Sequence, residues 1–238
     1  MEEEVPQAAP AASVAKWSGF YASGFAPWDA HRPASQLVAF LHDHPEGQRL
    51  LPPERSSTSA EVLEIGCGSG ASCVWMAQQG MAVVGVDLVP LPLRAASAAA
   101  TAAGVADRCR FVASDFMALP NSFSFAVGKR MSHEQQDKAH EEEAASGDVA
   151  AEREGGGFDL VYDCQCFHVL RKEIGERPVA DKIAQLVRPG GIFFTLVGNC
   201  NEAMTGPERL TKEELTDAFA SHFEVLSIYE TRALGALT

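Results

Sequence analysis

The sequence predicts an α/β fold, a doubly wound and mostly parallel sheet of six strands with helices on both faces. Three observations carry that prediction. Apolar runs of strand length alternate with breaker-free stretches of helix length along most of the chain, the pattern of successive βαβ units. Residues 61–87 join a strand, a glycine-rich turn, a helix and a second strand in one such unit. That second strand stops on an acid, Asp87, and open α/β sheets take their ligands at the carboxyl ends of their strands.

Residues 1–14, rich in alanine, proline and glutamate, read as a disordered lead. Residues 15–45 form an aromatic arm in which Trp17, Tyr21 and Trp28 stand among turn residues, with Asp29 and Arg32 close by. Such an arm either packs its rings on the core or works as a lid, with Trp28 over a ligand and Arg32 paired with a carboxylate. Within it, residues 34–42 group Leu37, Val38, Phe40 and Leu41 toward one side of a helix. His42-Asp43-His44 reads as a solvated helix end rather than a metal pair. Prolines 45, 52 and 53 mark a linker.

Val62-Leu63-Glu64-Ile65 is the first strand, Gly66, Gly68 and Gly70 the turn, residues 71–79 a helix, and residues 81–86 the strand that runs into Asp87-Leu88. Residues 91–103 are an alanine-rich helix stopped by Gly104. Residues 110–114 are a third strand ending on Asp115-Phe116. There an acid could accept from an adenine amino group and a ring could supply a face; a cap and a core phenylalanine are the plainer alternative. Residues 121–157 break the alternation with a charged, apolar-poor middle and a Gly155-Gly156-Gly157 end, so a disordered insertion is expected, joining the fourth strand from the amino end of the sheet.

The fourth strand, residues 158–162, ends at Asp163-Cys164-Gln165-Cys166-Phe167-His168. A helix over 178–187, a tight turn at Arg188-Pro189-Gly190-Gly191 and a fifth strand over 192–197, ending at Gly198-Asn199, follow. Thr211-Lys212-Glu213-Glu214 is a capping box opening a helix to residue 220, and residues 223–229 read as the sixth strand. Residues 234–238 are too short for a seventh.

A chain of 238 residues with 46% hydrophobic and 21% charged residues suits one soluble domain, residues 15–238. The formal net charge of −13 argues against a nucleic-acid or anionic-membrane surface and leaves small molecules as substrates. No apolar run approaches the ~18–20 residues of a membrane span, and the acidic start Met1-Glu2-Glu3-Glu4 fits no basic leader, so a cytoplasmic protein, monomeric or weakly dimeric, is expected. The six cysteines lack a C-x-x-C pair and read as buried, reduced residues with no metal; Cys164 and Cys166 would point the same way from a strand.

Taken alone, the glycine turn leaves two ligands open. Gly66-x-Gly68-x-x-Ala71 fits a dinucleotide fingerprint, which would make the chain a nicotinamide-dependent oxidoreductase. Glu64-x-Gly66-Cys67-Gly68-x-Gly70 fits an S-adenosylmethionine site, where a buried carboxylate suits an ammonium better than a pyrophosphate.

With Asp87, Asp115-Phe116, Phe158-Asp159-Leu160-Val161 and Leu186-Val187-Arg188-Pro189-Gly190-Gly191 added, the chain resembles the class I S-adenosylmethionine-dependent methyltransferases from about residue 17 to 231. Pro27-Trp28-Asp29, Arg32-Pro33 and the Asp163 to His168 segment are similar to the small-molecule members of the thiopurine, thiol/halide and tellurite-resistance type. The resemblance implies a Rossmann-like sheet and S-adenosyl-L-methionine as cofactor. It places Gly66, Cys67, Gly68 and Gly70 at the methionine part, Glu64 at its amino end and Asp87 with Leu88 at the ribose. Asp115 and Phe116 fall at the adenine, Asp163 or Cys164 at the methionine tail, and Arg32 at its carboxylate with Trp28 as cover. His168 is the candidate base or acceptor-orienting donor. Tyr21, Trp28, Phe167 and Asn199 are candidates for the wall around a small-molecule acceptor, a thiol by the softness of such a pocket. A binding module that keeps the cofactor fold without turnover is the remaining alternative.

Overall fold

The computed structural model describes residues 11–53, 59–125, 157–199 and 209–231. Five parallel strands form the central sheet: β1 (Glu61–Ile65), β2 (Ala82–Asp87), β3 (Cys109–Ala113), β4 (Phe158–Cys164) and β5 (Val187–Leu196), in the order β3-β2-β1-β4-β5. The direction of winding reverses between β1 and β4, which pair directly, so the crevice outside their carboxyl ends is the place where such sheets bind ligands. Register puts the acids there together. Ile65 lies opposite both Val86 and Asp163, and Asp87 lies opposite Ala113, two residues before Asp115.

The strands read as continuous apolar runs because both faces are covered. On one face Val62, Val83, Leu160, Tyr162 and Ile192 pack under α2 (Ser35–Asp43), α4 (Ala71–Gln78) and α5 (Pro90–Ala102), through Leu37, Leu41, Met76 and Leu93. On the other, Leu63, Ile65, Val84, Val86 and Val161 meet α7 (Glu176–Leu186) and α8 (Lys212–Phe219), through Val179, Ile183, Leu186 and Phe219. Among the described residues the remaining helices are α1 (Ala11–Ser23), the short α3 (Pro45–Gln48) and α6 (Phe167–Glu173). The expected capping box is formed: the Glu214 amide donates to the Thr211 hydroxyl, and the Thr211 amide to the Glu214 carboxylate.

Three expectations are corrected. Among the described residues the sheet has five strands, not six: residues 223–229 are irregular chain with Val225, Leu226 and Tyr229 exposed, because alternation alone supplies no neighbour to pair with. A small parallel ribbon, β6 (Gly198–Asn199) with β7 (Arg209–Leu210), stands apart from it. The lead is shorter than expected, since α1 begins at Ala11; residues 1–10 lie outside the described residues. The insertion also begins later, because Phe123 is fully buried against Phe158 with ring centroids 5.9 Å apart. Most of the expected insertion, residues 126–156, lies outside the described residues, as do Cys200 and residues 234–238.

The Arg188-to-Gly191 turn is drawn into β5 as an irregularity: Phe158 pairs with Val187 but Leu160 already with Ile192. No described helix is long and apolar enough to cross a membrane.

Candidate functional site

The loop between β1 and α4 is the floor of the site. Gly66 and Gly68 hold φ of 65° and 52°, in the left-handed region that side chains resist. Space demands glycine as well. A Cβ at Gly66 would lie 2.8 Å from the Cys166 sulfur, and one at Gly68 would lie 3.0 Å from the Tyr21 hydroxyl. Gly70 meets α5 instead, where a Cβ would fall 2.6 Å from that of Ala96. Asp87 fixes the loop: Gly68 N donates to its Oδ2 and Val89 N to its Oδ1, both at 2.9 Å. A carboxylate offers about four acceptor positions, so Asp87 keeps room for donors from a ligand. Burial nevertheless raises its pKa, with the two amides opposing.

Two further buried acids follow Asp87 across the sheet, on β1 and β4. Glu64 lies on the α4 side of the sheet, where the Cys73 thiol donates to its Oε2 at 2.8 Å; burial pushes its carboxyl up to about 8. Cys67 and Cys73 crowd that space together, their sulfurs 2.7 and 2.8 Å from where a Cβ of Gly85 would sit, so Gly85 is the gap that admits both. Asp163, at the end of β4, accepts from Cys166 N, Phe167 N and the Thr195 hydroxyl, the last at 2.6 Å, and burial raises it to about 6. It thereby caps α6 and folds the segment after β4 back over the sheet. That fold requires Gln165 at φ 67°, a strained angle for a residue with a side chain, held by Gln165 N donating to Leu196 O.

The arm meets the glycine loop through the Tyr21 hydroxyl at Gly68. Trp28 sits edge-on among Trp17, Phe20, Tyr21 and Phe25, with centroids 5.3 to 6.5 Å away. None of these rings is part of either core cluster among the described residues. Trp28 Nε1 donates to the Tyr21 hydroxyl at 3.3 Å. Burial, then the charge of Asp87, pushes the Tyr21 pKa well above its ordinary value, which keeps it a neutral donor rather than a base. His31, beyond Trp28, also holds a positive φ of 51°.

The structure thus brings together Tyr21, Glu64, Gly66, Cys67, Gly68, Asp87 and, through Cys166, Asp163. Leu88 follows Asp87 half-buried, and Cys164 ends β4 half-buried. Others stand apart. Arg32 is exposed, Asp115 caps a 3-10 turn by accepting from Met117 N, and Phe116 is buried in the core. His168 and Phe167 are almost wholly buried in the first turn of α6. The side chain of Asn199 lies outside the described residues. Sequence reasoning missed Thr195, which is an ordinary strand residue until its pairing with Asp163 is known, and the strain at Gln165, which no residue type announces. Among the described residues no group of histidines, cysteines and acids could hold a metal ion.

The comparisons agree with this architecture. The family described as Thiopurine S-methyltransferase (TPMT) matches residues 12–237. A curated relative from Arabidopsis thaliana, "Probable thiol methyltransferase 2", is 25% identical over 196 residues, covering 80% of this chain; the chain spans only 65% of that relative's length. Two solved structures share the fold. One is from work on the conversion of a disulfide bond into a thioacetal group during echinomycin biosynthesis, with a TM-score of 0.60 and 20% identity. The other is the Burkholderia thailandensis 1,6-didemethyltoxoflavin-N1-methyltransferase with bound 1,6-didemethyltoxoflavin and S-adenosylhomocysteine, with a TM-score of 0.57 and 23% identity. Each covers 92% of this chain and is itself covered over 81% of its length. With nearly the whole chain matched by one family and the glycine loop, switch-point acids and aromatic arm in place, the chain belongs to the thiopurine S-methyltransferase family.

Proposed function

We propose that the chain is an S-adenosylmethionine-dependent methyltransferase acting on a small molecule, with a thiol as the acceptor. The observation that carries this reading is the pairing of Asp87 with Gly68: a carboxylate at the end of β2 bonded to the amide of a left-handed glycine at the switch point. The cofactor fits those residues. Asp87 would hold the ribose hydroxyls with its open acceptor positions, and Gly66 and Gly68 leave main chain bare for the methionine part. Glu64, neutral in the free protein near pH 7, would ionise beside an ammonium. Asp163 shapes the backbone at Cys164 and Cys166 that would meet the methionine tail. Asp115 would take the adenine amino group, while Phe116, sunk in the core, would offer an edge rather than a stacking face. Arg32 would pair with the cofactor carboxylate at the mouth of the site, under the cover of Trp28.

When bound, the cofactor supplies an activated methyl group on a sulfonium. The protein's work is to hold the acceptor in line and keep water out. Tyr21 and Trp28 serve the second task and give the acceptor an aromatic wall, with Tyr21 donating a hydrogen bond to it. A thiol needs little help, since its thiolate is accessible near its pKa of ~8.5. The family's description and the relative's name support the choice of a thiol.

A thermal-shift panel tests the cofactor: S-adenosylhomocysteine at 100 times its Kd should add about 2.7 kcal/mol of stability, and NAD none. Asp87→Ala should abolish the first effect. Stabilisation by NAD alone would overturn the reading. For the acceptor, label should move from the cofactor to thiols; turnover confined to oxygen acceptors would refute that part. Binding without turnover on any acceptor would leave the chain a binding module.

A further inference from the structure

The N-terminal helix reaches the site by a route the glycine motif does not explain. Ser13, buried on the first turns of α1, donates from its hydroxyl to Glu173 Oε2 at 2.6 Å, and Lys16 Nζ stands 3.7 Å from Glu173 Oε1. Glu173 is the last residue of α6, where a carboxylate faces the negative end of the helix dipole. Nothing in α6 itself favours an acid at that position. Two donors from α1 do. The other end of α6 is held by Asp163, which accepts from Cys166 N and Phe167 N. On α1, Tyr21 follows Ser13 by about two turns and lays its hydroxyl on Gly68.

We propose that Glu173 is a positioning residue that latches α1 against α6, so that Tyr21 closes over Gly68 and the bound cofactor. The inference rests on the cofactor reading above and adds to it the device that shuts the site. The Ser13 bond carries most of the latch. It is short, charge-assisted and largely shielded, whereas the Lys16 pair is half exposed and weakens in salt. Loss of the latch lowers the fraction of protein with the arm closed and weakens apparent affinity by that fraction.

The test uses the full chain with Trp75→Phe, which leaves Trp17 and Trp28 in the arm as the only tryptophans. Calorimetry with S-adenosylhomocysteine should give about tenfold or more weaker binding for Glu173→Ala, the loss of one charge-assisted bond. Acrylamide should quench the arm tryptophans more readily in that variant. Ser13→Ala should reproduce both effects. Glu173→Gln, which still accepts from Ser13, should recover most of the affinity. In a Tyr21→Ala background, Glu173→Ala should cost nothing further, because the latch acts through Tyr21. Unchanged affinity in both Glu173→Ala and Ser13→Ala, or the same loss with and without Tyr21, overturns the proposal. Failure of the Trp75→Phe parent to bind S-adenosylhomocysteine sinks the cofactor reading instead, and the quenching then decides the latch alone: no gain in access overturns it.

Discussion

Glu64 is the residue at which stability and binding pull in opposite directions. Its ordinary value of 4.5 rises to about 8 in the folded chain because burial penalises the charged form. Below pH 4.5 folded and unfolded chains both hold this proton. Between there and about 8 only the folded chain holds it, so unfolding releases a proton and stability falls as pH rises through that window. Asp163, raised from 3.8 to about 6, adds a narrower slope of the same sign. Glu64→Gln keeps an acceptor for the Cys73 thiol but cannot ionise. It should match the wild type at pH 4.5, exceed it at pH 8 by an amount on the order of a few kcal/mol, and bind S-adenosylhomocysteine more weakly. Urea melts across pH 4.5 to 8.5 and calorimetry check the two effects; parallel pH profiles for the two proteins would contradict the account. Glu64, Asp87 and Asp163 were legible in the sequence because strand ends are, and an acid at a strand end has few other uses. Gln165 and Thr195 were not, because their roles exist only once β4 and β5 lie side by side.

At the scale of elements, a glycine's worth depends on what its turn holds. Gly68 and Gly190 both adopt positive φ, but a Cβ at Gly190 would meet nothing within 4 Å, whereas one at Gly68 meets the Tyr21 hydroxyl. Gly190→Ala should therefore cost about 1–2 kcal/mol of stability, the price of the left-handed angle alone, with affinity for S-adenosylhomocysteine unchanged. Gly68→Ala strains a loop whose amide is bound by Asp87 and pushes the aromatic arm outward, so it should lose affinity at least tenfold in addition. Equal affinities in the two variants would show that the loop tolerates displacement. The same dependence on neighbours explains which elements the sequence displayed. The strands of the central sheet were readable because both faces are buried and their apolar runs are continuous. Residues 223–229 carry an equally apolar pattern, yet they lie unpaired, since strand propensity expresses itself only against a partner. Helix α1 was hidden for a different reason: its aromatic residues pack on each other and on Trp28, so no periodic stripe faces the core.

Across the whole molecule, the candidate site and the residues that bracket the insertion stand at opposite ends of the sheet. Asp87, Asp163 and the glycine loop stand at the carboxyl ends, while residues 125 and 157 bracket the insertion at the amino ends. Phe125 N donates to the Glu61 carboxylate at the first residue of β1, and its ring lies 4.9 Å from the Arg110 guanidinium. Phe123 and Phe158 pack together, and Gly157 is fitted so tightly against Arg188 N that a Cβ there would come within 2.9 Å. Both flanks are thus anchored by contacts that the insertion itself does not supply. Closing a shorter loop costs slightly less entropy, because that cost grows only with the logarithm of length. Replacing residues 131–154 by a few glycines and serines should therefore leave the melting temperature unchanged or raised by a degree or two. Affinity for S-adenosylhomocysteine should stay within about twofold of the full chain, less than the tenfold that 1.4 kcal/mol would bring. A large loss of affinity at an unchanged melting temperature would mean that the insertion reaches around the sheet to the carboxyl edge, and the separation of the two ends would have to be abandoned.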